Sequence, residues 1–173
     1  MPALSQLKNR LIAKVITSFP SLSKRFTDKY QPSETTGEVP WVPLKKELRD
    51  SKLALVSTCG VHHRGQEPFN MKDPDGDPSF RTIDNTLPVD NMVITHDYYD
   101  HTNADKDINI VFPIERLKEF ESGGVIGELA ATHFGFMGHI DGAHLGILTA
   151  SSAPEVAGSL RNQGVDAVLL TPA

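Results

Sequence analysis

Apolar positions along the chain fall into short blocks separated by long polar stretches, and the spacing inside each block predicts an element. Leu4, Leu7, Leu11, Ile12 and Val15 recur at helical spacing and predict an amphipathic helix over residues 1–18. Phe19-Pro20 ends it, because proline restricts the backbone of the residue before it. Residues 21–30 have room for a short helical turn. Residues 31–43 carry three prolines and a glycine and predict an extended arm, which Trp41 would pin to the core. Lys52-Leu53-Ala54-Leu55-Val56-Ser57-Thr58 predicts a buried strand that Cys59-Gly60 ends. Residues 66–90 read as a long loop, and 91–95 as a second strand. Pro113 opens a helix that Ile114, Leu117, Lys118 and Phe120 continue and Gly123-Gly124 stops. Glycine alternating with aromatics over 132–139 predicts a closely packed turn. Ser152 can cap a helix over 153–160 that Gly164 ends, and Val165 to Thr171 predicts a third strand. Strands alternating with helices predict an α/β fold, a Rossmann-like layered sheet that is mostly parallel. The expected division is 1–43, helix and arm, and 44–173, the α/β domain.

The densest polar island lies between the second strand and the Pro113 helix. Thr95 to Asn109 holds two histidines, four aspartates and two asparagines, flanked by Val93-Ile94 and by Ile110-Val111-Phe112. A strand running into a polar loop and then a helix is where α/β proteins place chemistry. A solvated loop with Asx turns and a helix cap fits the same residues, and both readings stay open.

Length and charge narrow the classes. The chain has 173 residues, 39% hydrophobic and 23% charged, which suits a folded domain with a core. A net charge of -5 without a basic stripe argues against a nucleic-acid surface. No apolar run approaches the roughly 20 residues that span a bilayer, and the first residues lack the continuous apolar region of a secretory signal. The N-terminal helix is expected to lie on its own domain in preference to a membrane surface. Cys59 is the single cysteine, so no disulfide forms within the chain; a reducing, cytoplasmic setting is expected, with Cys59 as a small core residue. His62 and His63 are neighbours on an extended chain and point opposite ways, so one of them can face a pocket. Asp73, Asp75 and Asp77 evoke a calcium loop, but the glycine stands before the third aspartate and the twelfth position is Asp84. Arg81 can hold a carboxylate or pair with those aspartates. His133 and His139 are candidates for one pocket. Asp100, His101 and Asp105 are loosely spaced for metal ligands, and no metal site is assigned.

Several segments resemble the selenoprotein B family of the glycine/sarcosine/betaine and D-proline reductases. They are Ala54 to His62, Asp75 to Arg81, Tyr99 to Asn109 with Val111-Phe112-Pro113, Gly124 to Gly127, and His133 to Gly138, within residues 40–173. The resemblance implies reductive cleavage of a C–N bond in an amino acid or its N-methylated relative, by a selenolate or thiolate that a dithiol system regenerates. It implies a selenocysteine or cysteine just past the strand that ends at Thr171. The expectation is therefore an N-terminal portion of a longer subunit and an incomplete domain, cut where a UGA selenocysteine codon is read as a stop. It further implies a pyruvoyl-bearing partner subunit and a thiol or selenol carrier protein. Within that frame His62, His101 and His133 are the candidate proton donors. Arg81, Asp100, Asp105, Asp107 and Asn109 are the candidate substrate-binding residues. Two other classes stay open: a non-catalytic α/β binding or assembly protein, and a His/Asp metal-dependent hydrolase.

Overall fold

The computed structural model describes residues 4–19, 24 and 42–172. Two compact units are present: Met1–Leu44 with Asp97–Asp100, and Lys45–His96 with His101–Ala173. In the first, helix α1 spans Leu4–Ser18 as the apolar spacing requires. The expected turn over 21–30 and the arm with Trp41 lie outside the described residues, apart from Lys24 and Val42-Pro43.

The second unit is a mixed α/β fold built around β1 (Lys52–Ser57). Five of its six residues are buried, because strands pair on both of its edges and side chains cover both of its faces. On one edge β7 (Ala167–Thr171) runs parallel to it, from Leu53 opposite Ala167 to Ser57 opposite Thr171. The other edge is shared by two short parallel strands. β5 (Glu128–Leu129) pairs with its start and β6 (Thr132–Phe136) with its end. β3 (Phe80–Asp84) closes that side antiparallel to β6, with Ile83 opposite His133. The sheet is thus mostly parallel, with one antiparallel pair.

Alternation along the strands sorts the core into two layers. Ala54, Val56, Phe134 and Phe136 face Val156 and Leu160 of helix α4 (Ala153–Asn162). Phe80 packs edge-on to Phe134, ring centroids 5.7 Å apart, and seals that layer. On the opposite face Phe112, fully buried, meets His133 edge-on just before helix α2 (Ile114–Ser122). Glu121 ties α2 to the sheet by accepting the Leu129 N–H at 2.7 Å. None of the described helices is long and apolar enough to cross a membrane.

Four expectations need correction. The 91–95 strand exists as β4 (Met92–Ile94), but it pairs antiparallel with β2 (Val61–His63) in a separate two-stranded sheet. Gly60, at φ 73°, turns the chain from β1 into β2. The 66–90 stretch is not all loop, since it contains β3. The glycine–aromatic stretch is the core strand β6 and not a turn. Gly135 is there because β2 crosses it closely: a Cβ would sit 2.1 Å from the Val61 carbonyl oxygen. Finally, Ser152 caps nothing. Its backbone is helical, and α3 (His144–Ile147) runs through a π turn (Leu148–Ser152) straight into α4. The widened turn precedes Pro154, whose missing N–H and ring would break a regular helix.

Gly135→Ala is expected to destabilise the fold by about 3 kcal/mol through overpacking against backbone. Gly146→Ala, in α3 with nothing within 4 Å of the new methyl, should stabilise by about 0.5–1 kcal/mol. Urea unfolding midpoints moving in opposite directions would bear this out, and equal midpoints would refute it.

Candidate functional site

The polar island connects β4 to α2, and its last residues are fixed by their own side chains. Asp107 accepts from the backbone N–H and the Nδ2 of Asn109, both at 3.0 Å, and so caps the short turn Ile108–Ile110. Those bonds, the side-chain one first, hold its carboxyl below the usual carboxylate range. Asn109 in turn exchanges two bonds with the first turn of α2. Its Nδ2 donates to Glu115 Oε2 at 2.6 Å, and its Oδ1 accepts the Glu115 N–H at 3.0 Å. Val111 and Phe112 are buried beneath. Upstream, the His101 ring lies between two oxygen acceptors. Nε2 donates to the His96 carbonyl at 3.1 Å, and Nδ1 lies 2.8 Å from Asp105 Oδ2.

These residues wall a cleft of about 700 Å³. His101, Asp105, Asp107, Asn109 and Glu115 come from the island and α2, while Arg64 and Asp90 flank the two-stranded β2–β4 sheet. Met92, Ile94, Ala104 and Ile108 supply its apolar surface. Four carboxylates face two cations, Arg64 and Lys106, so the lining is net acidic. Such a cleft can hold an ammonium group while His101 handles a proton. Arg64, Asp90 and Glu115 carry no local sequence signal. They reach the cleft only through the β2–β4 pairing and the start of α2.

The other candidates are placed elsewhere. His62, in β2, is buried edge-on to Phe69: Nδ1–H donates to the His63 carbonyl and Thr95 Oγ1 donates to Nε2, both at 2.8 Å. Burial lowers its pKa, so it rests neutral. His63 points the other way, as extended geometry demands, and its Nε2 accepts the Asp84 N–H at 2.9 Å. Arg81 lies over the Phe69 ring at 4.4 Å and donates to the carbonyls of Glu67, Pro68 and Phe80 and to Ser79 Oγ. It is engaged with its own loop, and Asp77 Oδ2 is 3.7 Å away. Asp100 falls in the other compact unit. His139 donates to the carbonyl of Pro74, distant in the chain, whereas His133 is bonded inside the sheet to the Leu55 N–H. Among the described residues no three His, Cys, Asp or Glu side chains are grouped to hold a metal ion.

His133 serves the sheet. β5 ends at Leu129 and β6 begins at Thr132, so the ladder beside β1 is interrupted. The buried Leu55 N–H, which falls at the gap, donates instead to His133 Nδ1 at 3.0 Å. Burial pushes the His133 pKa down to about 4, with the Lys118 charge adding to the effect. Cys59 is buried among Ser57 Oγ and the carbonyls of Val111 and Thr171, and burial raises its thiol pKa.

Fold and cleft together define a class: an α/β domain whose acid-lined cleft is presented by the loop between β4 and α2. A profile of the glycine/sarcosine/betaine reductase selenoprotein B (GRDB) family matches residues 22–173. The D-proline reductase subunit gamma of Acetoanaerobium sticklandii is 40% identical over 131 residues, 76% of this chain and 52% of that protein. The glycine reductase complex component B subunit gamma of Symbiobacterium thermophilum is 31% identical over 84% of this chain and 34% of its own length. The sarcosine reductase complex component B subunit beta of Peptoclostridium acidaminophilum is 29% identical over 62% of this chain and 25% of its own length. The chain belongs to the selenoprotein B family. It spans about half or less of the length of these relatives, which are subunits of amino-acid reductase complexes. No solved structure matches it.

A histidine whose folded pKa lies below its unfolded value takes up its proton on unfolding. Stability is therefore full above the unfolded value of 6.5 and falls as pH drops toward the His133 value of about 4. The loss should be on the order of 3 kcal/mol for His133, with His62 and His63, shifted the same way, adding to it. His133→Asn keeps an acceptor for Leu55 and removes the titration, so its urea midpoint should vary less across that window. A slope equal to wild type would exclude this assignment.

Proposed function

We propose that this chain forms the scaffold and substrate-facing part of a reductase subunit that cleaves a C–N bond of an amino acid or N-methylated amino acid. The observation that carries the reading is the acid-lined cleft with His101 held against Asp105, in the same run of residues that carries the family likeness. Asp105, with Asp90 and Glu115 nearby, would hold the substrate ammonium. His101 would give its proton to the leaving amine. Asp107 and Asn109 would fix the wall, since their bonds are already made to each other and to Glu115.

In this reading a selenol or thiol is supplied from outside the described residues, as the family likeness implies. Thr171 Oγ1 donates to the Val111 carbonyl at 2.9 Å, so β7 ends against the loop that walls the cleft. A nucleophile following β7 would enter beside it, and a strand-end position next to a helix N-terminus would lower its pKa. Its attack on carbon would form a Se–C or S–C bond as the C–N bond breaks and the amine leaves with a proton. A second thiol would then attack that selenium or sulfur, so that the carbon leaves with the bonding pair and takes up a proton while a selenosulfide or disulfide remains. A dithiol carrier returns it to the reduced form, which a reducing cytoplasm would maintain. In the same reading a pyruvoyl group would be carried by a partner subunit. Added sequence layering onto the sheet, in a Rossmann-like arrangement, would cover Val168, Leu169 and Leu170 of β7, which are exposed.

The test uses the natively translated subunit with its partner subunits. Asp105→Asn and His101→Gln should each lower kcat/KM by about tenfold to a hundredfold, the value of one charged hydrogen bond. Asp105→Asn should act mainly on KM, and His101→Gln on kcat and its pH profile. Parameters within twofold of wild type for both variants would reject the cleft as the substrate site.

A further inference from the structure

Helix α1 exposes its most apolar row. Leu7, Leu11 and Val15 stand one turn apart along it, and all three are exposed, Leu11 at 65%. Ile12 and Phe19 extend the same surface and are also exposed. The opposite side, with Ala13 at 7%, is the buried one. An amphipathic helix on a water-soluble domain normally places these sides the other way round. The charge is as one-sided as the apolar row. No acidic residue occurs in Leu4–Ser18, which carries Lys8, Arg10 and Lys14. Residues 1–30 hold six of the chain's 17 Lys and Arg but one of its 22 Asp and Glu. The rest of the chain is therefore acidic, and the cationic character is concentrated in the first thirty residues, with three of those six cations on this helix.

We propose that α1 docks the chain on an anionic lipid surface. At helical pitch Lys14 and Lys8 fall on either side of the Leu7–Leu11–Val15 row. Lysines at the margins of an apolar stripe can bury their stems and reach phosphate groups, while the row enters the headgroup–acyl boundary. Three other occupants fit less well. A second copy of α1 would bring like charges together. A nucleic acid would leave the apolar row in water. An acidic protein groove could match the charge, and the measurement below separates it. The helix would lie on the bilayer and not span it.

Co-sedimentation of the full chain with phosphatidylcholine vesicles, and with mixed phosphatidylcholine–phosphatidylglycerol vesicles, is the test. The protein should pellet with the mixed vesicles and not with the neutral ones, and added salt should release it. Leu11→Glu should lower the partition coefficient about tenfold or more. Lys8→Gln combined with Lys14→Gln should lower it about tenfold. Leu145→Glu, at an exposed site on α3, should leave it unchanged, and circular dichroism confirms that each variant is folded. Failure to pellet with the mixed vesicles overturns the proposal. So does equal pelleting by the Leu11→Glu protein, or binding to duplex DNA or to an acidic partner subunit without binding to vesicles.

Discussion

The larger unit depends on one hydrogen bond that a sheet does not ordinarily need. β1 is paired on both edges and covered on both faces, so each of its backbone groups must find a partner away from water. The two-residue gap between β5 and β6 leaves the Leu55 N–H without a neighbouring carbonyl, and an orphaned buried donor costs about 1–3 kcal/mol. His133 Nδ1 fills the gap at 3.0 Å. The ring can accept only while that nitrogen is unprotonated, so the same contact that completes the ladder keeps the histidine neutral. Among the described residues nothing accepts its Nε2–H. The hydrogen bond to Leu55 and the edge contact with Phe112 hold the ring where it is.

The same constraint recurs at the sheet margin. The outer edge of β3 would present open backbone groups, and side chains close it: Gln66 donates to the Thr82 carbonyl and His63 accepts the Asp84 N–H. Arg81 satisfies three loop carbonyls. Polar residues that look chemical in a sequence are, in this chain, often the acceptors and donors that irregular backbone requires. In the cleft beside His101, by contrast, polar groups converge without serving a strand.

Where the sequence was legible, the cause is local. α1 and α2 follow from helical spacing, and β1 and β7 from unbroken apolar runs. β6 was misread because Thr-His-Phe-Gly-Phe owes its glycine to the Val61 carbonyl and its histidine to Leu55, both distant in the chain. β4 was found but placed in the wrong sheet, since three apolar residues carry no record of their partner. The helix through Ser152 was cut short because a proline ordinarily starts a helix, and only a π turn lets one continue past it. The polar island was visible as an island. That Asp107 and Asn109 face each other while Asp105 faces His101 depends on turn geometry that spacing does not encode.

The Val111 carbonyl joins these levels. Ser57 Oγ and Thr171 Oγ1 donate to it at 3.2 and 2.9 Å, and Cys59 Sγ lies 3.4 Å away. It therefore ties the ends of β1 and β7 to the loop whose other end carries His101 and Asp105. In open α/β sheets ligands gather beyond the carboxyl ends of the parallel strands. Here the cleft opens beside the two-stranded β2–β4 sheet, and the carbonyl connects it to those ends. Because both anchors are strands of the main sheet, paired to each other along their length, the loop is positioned by rigid elements, the condition a site must meet to hold reacting groups in register. The polar island is thus a wall whose placement is set by the sheet, and its acidic lining, more than its histidine count, determines what it can bind.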